Sequence, residues 1–125
     1  MRPKANASGS RIRIDAEKSI VRAFVGGLNR EEIAEIIKQA NIAACQLLEE
    51  HASRHKFRPP HILRCLAANG QTIWAREKSE TVWDEQGVTA WATNFSPIDV
   101  SYLEAEDGSG QKFSVRVELE AVRKN

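Results

Sequence analysis

The chain has 125 residues and a mass of 14.0 kDa, which is the length of a single domain. Its 18 Lys and Arg residues nearly cancel its 17 Asp and Glu residues, leaving a formal net charge of +1. This balance excludes a histone-like polycation and a wholly acidic protein. The sequence has no apolar run long enough to cross a membrane and no signal-like apolar start, so we expect neither a membrane span nor export.

The first residues are rich in small and polar side chains and contain no large apolar residue after Met1. Such a composition buries too little surface to offset the entropy of ordering, so residues 1–12 are predicted to form a flexible basic arm. Residues 13–125 are then expected to form one domain. Two cysteines, Cys45 and Cys65, are too few for a disulfide scaffold and fit a reducing compartment. A cytoplasmic location is therefore expected.

Two helices are predicted in the first half of the domain. Asp15 is a candidate N-cap for a short helix that carries Ile20, Val21, Phe24 and Val25 on one face and ends at two glycines. The second helix is longer and spans about residues 30–55. Asn29 and Glu32 predict a variant of the capping box at its start, and its apolar positions recur at helical spacing. These positions are Ile33, Ile36, Ile37, Ala40, Ala44, Leu47 and Leu48.

Ile42 falls opposite this apolar stripe, on the polar side of the long helix. A large apolar residue on a polar face indicates a second contact, such as the seam of a homodimer. Pro59 and Pro60 interrupt the helix, and Pro60 is well placed to begin a third, short helix. That helix would place Ile62, Leu63 and Leu66 on one face.

The period of the apolar residues changes from helical to two after Gln71. Strands are predicted at residues 81–85 and 88–93, around a tight turn, then at 98–102 and 113–119, with 72–76 left open. The fold class expected from this order is α+β. The N-terminal helices, one long and amphipathic and flanked by two short ones, are expected to pack on a C-terminal antiparallel β-meander of three to five strands. No crossover helix separates the strands, so a parallel sheet is not expected.

The net charge conceals strong segregation along the chain. Residues 51–78 carry a formal charge of +5, whereas residues 79–110 carry −7. The basic block contains a cluster that predicts contacts with nucleic acid, assisted by the basic arm. The alternative is that these residues simply lie in solvent at a helix C-terminus, where the dipole favours cations. The cluster consists of Arg54, Lys56, Arg58 and Arg64.

The acidic block holds four of the eight aromatic residues of the chain, and six of the eight lie between residues 74 and 113. Its negative charge would repel phosphate, so a protein surface is the better predicted partner, and Trp and Tyr are common at interface hot spots. The alternative is that these rings fill the core between the sheet and the helices. The binding residues predicted in this region are Trp83, Asp84, Glu85, Trp91 and Tyr102.

Two pairs of residues have the spacing of metal ligands on a helix. His51 and His55 are one turn apart, as are His61 and Cys65 if the third helix forms. No CxxC or HExxH motif accompanies them, so a packed or hydrogen-bonded role is preferred, and no metal or cofactor is predicted. A cysteine paired with a histidine lacks a third group and an oxyanion site, which weighs against catalysis.

Taken together, these features predict a small, non-enzymatic binding module that acts through protein–protein contacts. A compact chain without catalytic motifs is typical of phage- or mobile-element-type inhibitors and adaptors. The alternative is a nucleic-acid-binding protein or regulator that uses the basic arm and the cluster from Arg54 to Arg64. A homodimer is compatible with either hypothesis.

Overall fold

The computed structural model describes residues 11–80 and 100–120, and the side chains of 11–80 and 102–120. Within these ranges the chain forms one helix and six strands. Their bounds are β1 Ile12–Asp15, β2 Ile20–Phe24, α1 Arg30–Arg54, β3 His61–Ala67, β4 Thr72–Lys78, β5 Val100–Glu106 and β6 Lys112–Glu120. None of the described helices is both long and apolar enough to cross a membrane.

All six strands belong to one mixed sheet in the order β1-β2-β6-β5-β3-β4. Four of the strand pairs are antiparallel, and β2 pairs with β6 in parallel, with Val21 opposite Val117. A parallel pair requires a long connection between its strands, and here α1 and the strands β3 to β5 supply it. The last strand thereby returns to the middle of the sheet beside the N-terminal hairpin.

Helix α1 begins with the predicted capping box. The Asn29 side chain accepts the backbone N–H of Glu32 at 2.8 Å, and the Glu32 carboxylate accepts the Asn29 N–H at 3.0 Å. Two N–H groups that have no partner inside the helix are satisfied in this way. The helix ends at Arg54, one residue before the predicted end, and Lys56 takes a left-handed backbone conformation just beyond it.

The core lies between α1 and one face of the sheet. Alternate residues of β2, β3, β5 and β6 point toward the helix, because successive side chains of a strand face opposite sides. The largest side chains fully buried there include Leu48 of α1, Leu63 of β3 and Leu103 of β5. Ile42 is half-buried and packs against this core, which accounts for its apolar character without a second copy of the chain.

The first and third predicted helices are wrong, because both segments are strands. In β2, Val21 and Ala23 are buried while Ile20, Arg22 and Phe24 are not, which is the alternation of a strand. In β3, His61, Leu63 and Cys65 are buried in the same alternating way. Short apolar runs fit both periods, and their β-branched and aromatic residues favour a strand once neighbouring strands are available for pairing.

The predicted meander of three to five antiparallel strands is also wrong. Residues 72–76, left open from the sequence, lie within β4, and 113–119 lie within β6. The predicted strand at 98–102 overlaps β5, which begins at Val100. The predicted hairpin at 81–93 and the arm up to residue 10 lie outside the described residues. Helix and strands together still make an α+β fold.

The β5–β6 turn is tied to the connection between α1 and β3 by Asp107. Its carboxylate accepts the backbone N–H of Arg58 at 2.8 Å, and it also accepts hydrogen bonds from Ser109 and Gln111. Burial raises the pKa of Asp107, but these hydrogen bonds outweigh it and lower the pKa to about 2. Gly108 passes so close to this connection that an added Cβ would lie 2.5 Å from the carbonyl oxygen of Pro59.

Candidate functional site

The face of the sheet opposite α1 is the largest candidate interaction surface. Helix α1 contacts one side of the sheet only, and among the described elements no helix or strand packs on the other side. We call this other side the open face. Its residues alternate with the buried ones along each strand. It includes Arg22 and Phe24 of β2, Ile62, Arg64 and Leu66 of β3, Tyr102, Glu104 and Glu106 of β5, and Arg116, Glu118 and Glu120 of β6.

Arg64 lies at the centre of one ion-pair network on the open face. Its Nη1 is 3.0 Å from Glu104 and 2.7 Å from Glu106, both on the neighbouring strand. The hydrogen bond that Arg64 donates to the Glu106 carboxylate raises the pKa of the Arg64 guanidinium against the opposing effect of burial, and the bond to Glu104 adds to the rise. Two glutamates of the neighbouring strand therefore compensate the charge of Arg64.

A second network joins β2 and β6 on the same face. The Nε of Arg22 is 3.0 Å from one carboxylate oxygen of Glu118, and the Nε of Arg116 is 2.7 Å from the other. Glu120 lies farther from Arg22, at 3.8 Å. Partly exposed pairs of this kind each stabilise a protein by only about 0–1 kcal/mol. Their larger effect is to fix the orientation of long side chains across the face.

Half-buried aromatic and aliphatic side chains lie between these ion pairs. The guanidinium carbon of Arg116 is 5.9 Å from the centre of the Tyr102 ring, and that of Arg13 is 6.0 Å from the Phe24 ring. Both distances are within the range of cation–π contacts. Leu66 is paired with Tyr102 across β3 and β5. The open face therefore combines half-buried aromatic side chains with paired charges.

A smaller candidate site is a cleft between the C-terminal turns of α1, the β1–β2 turn and the start of β6. Its volume is about 240 Å³. His51 lies in its wall, stacked on Phe113 with ring centres 3.7 Å apart and planes 2° apart. Its other face stacks on His55 at 4.1 Å. Burial lowers the pKa of His51, and the charges of His55 and Arg54 lower it further.

The predicted basic cluster is divided by the fold. Arg54 is in the last turn of α1, and Lys56 and Arg58 are in the connection that follows. Arg64 is on the open face and already paired with two glutamates. The prediction treated Arg64 as part of a helix that would extend the cluster, whereas a strand carries it to the opposite side of the sheet.

The predicted pairs of metal ligands have different geometries from those assumed. The rings of His51 and His55 are stacked rather than directed edge-on at a common point. His61 and Cys65 are on β3, where four residues span about 13 Å instead of one helical turn. Within residues 11–80 and 102–120, no group of three or more His, Cys, Asp and Glu residues is arranged to hold a metal ion.

Only one of the predicted acidic and aromatic binding residues can be located. Tyr102 is on the open face, whereas Trp83, Asp84, Glu85 and Trp91 lie outside the described residues. The sequence did not indicate that the charged residues of β6 form ion pairs with Arg22 of β2 on the open face. The strict alternation of residues 113–119 was visible, but which strands would lie beside β6 was not.

Comparisons of the chain with protein-family models, with curated proteins and with solved structures each find no match. The function is therefore argued from the geometry of this fold.

Proposed function

We propose that this protein is a small binding module, of the inhibitor or adaptor type, that presents the open face of its sheet to a protein partner. One observation carries the proposal. A six-stranded sheet has one face packed on α1, while the opposite face carries Tyr102, Leu66 and Phe24 among ordered ion pairs and meets no other described element.

The composition of the open face supports a protein partner. Tyr and Arg are the residues, together with Trp, that most often dominate binding energy at protein interfaces. Tyr102 and Arg116 are cross-strand neighbours within cation–π distance, so a partner that covers one side chain also contacts the other. Leu66 beside Tyr102 supplies apolar area that becomes buried on association.

The charge of the open face weighs against nucleic acid at this surface. Binding to a phosphate backbone requires cations that can release counterions. Arg22, Arg64 and Arg116 each lie within 3.0 Å of a glutamate oxygen. A phosphate would have to displace a carboxylate from each of them, and glutamates would remain at the interface. Protein interfaces readily accommodate such alternating charges.

The test is affinity capture from native cells with open-face variants. Wild-type protein should retain a partner, and Tyr102→Ala combined with Leu66→Ala should lose it. A matched control is Ile14→Ala, which also removes apolar atoms but from an exposed residue on the other side of the sheet, at 53% exposure. Equal recovery of the partner by all three proteins would contradict the proposal, provided that circular dichroism shows each to be folded.

The nucleic-acid hypothesis is tested with the same proteins. Affinity for duplex DNA and for single-stranded RNA is measured at two salt concentrations, because phosphate contacts demand a steep loss of affinity as salt rises. The nucleic-acid hypothesis is favoured over a protein partner if binding is tight and strongly salt-dependent. In that case Arg58→Gln should reduce the affinity and Tyr102→Ala should leave it unchanged.

A further inference from the structure

The cleft at the end of α1 lies apart from the open face and has the features of a small-molecule site. Its volume of about 240 Å³ is below the roughly 300–1,000 Å³ of pockets for drug-sized ligands. Phe113 and Leu47 provide apolar wall, while Ser19, Glu17, Glu50, His51 and Arg54 bring polar groups to the same space. A ligand that fits must be small and must satisfy groups of both charge signs.

His51 lies in the wall of this cleft, and Phe57 packs against its ring with ring centres 5.8 Å apart. Both ring faces are covered, one by Phe113 and the other by His55. Neither ring nitrogen makes a hydrogen bond to any described residue. The lowered pKa of His51 keeps the ring neutral near pH 7, so one nitrogen can donate a hydrogen bond and the other can accept one. The stacking holds the His51 ring in place before a ligand arrives.

The described residues of the cleft include three charged ones that are not paired with one another or with other described side chains. Glu17, Glu50 and Arg54 form no ion pair with another described residue. The two carboxylates come from different elements, the β1–β2 turn and α1, and face a common space. The negative end of the α1 dipole lies at this end of the helix and adds to the attraction for a cation. Arg54 is the one positive group among the described residues of the wall, and guanidinium groups bind carboxylates in a fixed, two-pronged geometry.

We propose that this cleft binds a small zwitterion, of the class of a free α-amino acid. The ligand's ammonium group lies between Glu17 and Glu50, and its carboxylate is bound by Arg54. His51 donates or accepts one further hydrogen bond, and the ligand's side chain packs on Leu47 and Phe113. This site goes beyond the proposed protein contact, because its residues lie on the helix side and at the end of the sheet rather than on the open face.

Titration followed by nuclear magnetic resonance tests the proposal with defined probes. The common amino acids are added one at a time, up to millimolar concentration, to uniformly labelled protein. At least one should shift the resonances of His51, Phe113 and Arg54 in a saturable way. The amide of that amino acid, which lacks the carboxylate, and its N-acetyl derivative, which lacks the ammonium group, should both bind more weakly. Absence of any saturable shift, or equal binding of a blocked derivative, would overturn the proposal.

A pair of variants separates this site from nonspecific association. Arg54→Gln should lower the affinity for the most tightly bound amino acid by about tenfold or more, because it removes one charge-assisted contact. Arg30→Gln makes the same chemical change at the opposite end of α1, and its affinity should equal that of the wild type. Equal affinities for all three proteins would refute the role given to Arg54 and with it the zwitterion site.

Discussion

Leu63 and Leu66 form an internal comparison, because they are the same residue type on opposite faces of β3. Leu63 is fully buried in the core cluster, with Ala105 opposite it on β5. Leu66 is half-buried on the open face opposite Tyr102. Replacing a leucine by alanine removes three carbons, which is about 2.4 kcal/mol of transfer free energy at about 0.8 kcal/mol per methylene. A cavity that cannot collapse adds to this cost.

We therefore expect Leu63→Ala to lower the free energy of unfolding by about 3–4 kcal/mol, since strands on both sides and the surrounding core side chains keep the space open. Leu66→Ala should cost about 1 kcal/mol, because part of its side chain is already in contact with water. In a chain of this length, 1 kcal/mol corresponds to about 4 °C in Tm. The difference between the two variants should therefore be roughly 8–12 °C.

Urea unfolding followed by circular dichroism measures both variants, and an unchanged dependence on urea concentration shows that the same two states are compared. The proposed function depends on the outcome. If Leu66→Ala cost as much as Leu63→Ala, the open face would be as tightly covered as the core. A partner could then not reach it, and the reasoning from an uncovered sheet face would fail.

Three further predictions concern the helix cap and two titrating groups. Asn29→Ala should lower the free energy of unfolding by about 1 kcal/mol in urea, whereas Asn29→Asp should not, since it keeps the capping oxygen; equal losses would contradict the capping role. The pKa of Asp107 is lower in the folded state, about 2, than the usual 3.8, so its ionised form stabilises the fold above pH 3.8 and the effect disappears as the pH falls through 2. The difference in Tm between wild type and Asp107→Asn should therefore shrink over this range, and a constant difference would contradict the assignment. The pKa of His51 is lowered from 6.5, so as the pH falls below that value the unfolded state takes up the proton first and wild-type stability drops. His51→Phe keeps the stacking and should lose that part of the pH dependence. Identical profiles of Tm against pH for the wild type and the variant would refute the contribution of His51.

The parts of the fold that the sequence predicted correctly are those that local interactions specify. The capping box at Asn29 and Glu32 and the long apolar stripe located α1 to within one residue of its end. The strict alternation of residues 113–119 located β6. Each signal extends over enough residues, or involves a specific enough contact, for one secondary structure to be favoured before any tertiary contact forms.

The candidate sites were harder to predict because they combine residues that are distant along the chain. Arg64 was assigned to a basic cluster, and its two glutamates, forty and forty-two positions away, become neighbours only when β5 pairs with β3. The spacing of His51 from His55 matches their stacked rings, yet Phe113 on β6 also covers the His51 ring. Residue spacing along a helix could not show that the distant Phe113 ring would cover one face of the His51 imidazole.

The sequence by itself determined the α+β class, the position of the long helix and the segregation of charge along the chain. These properties depend on periodicity, capping and composition, which are local. Only the tertiary structure decided that residues 20–24 and 61–67 are strands, because five- and seven-residue apolar runs gain their hydrogen bonds from neighbouring strands. Pairing also decided which charges compensate one another. The basic and acidic segments that seemed opposed along the chain meet on adjacent strands, and they leave an ordered, charge-balanced face on the side of the sheet away from the helix.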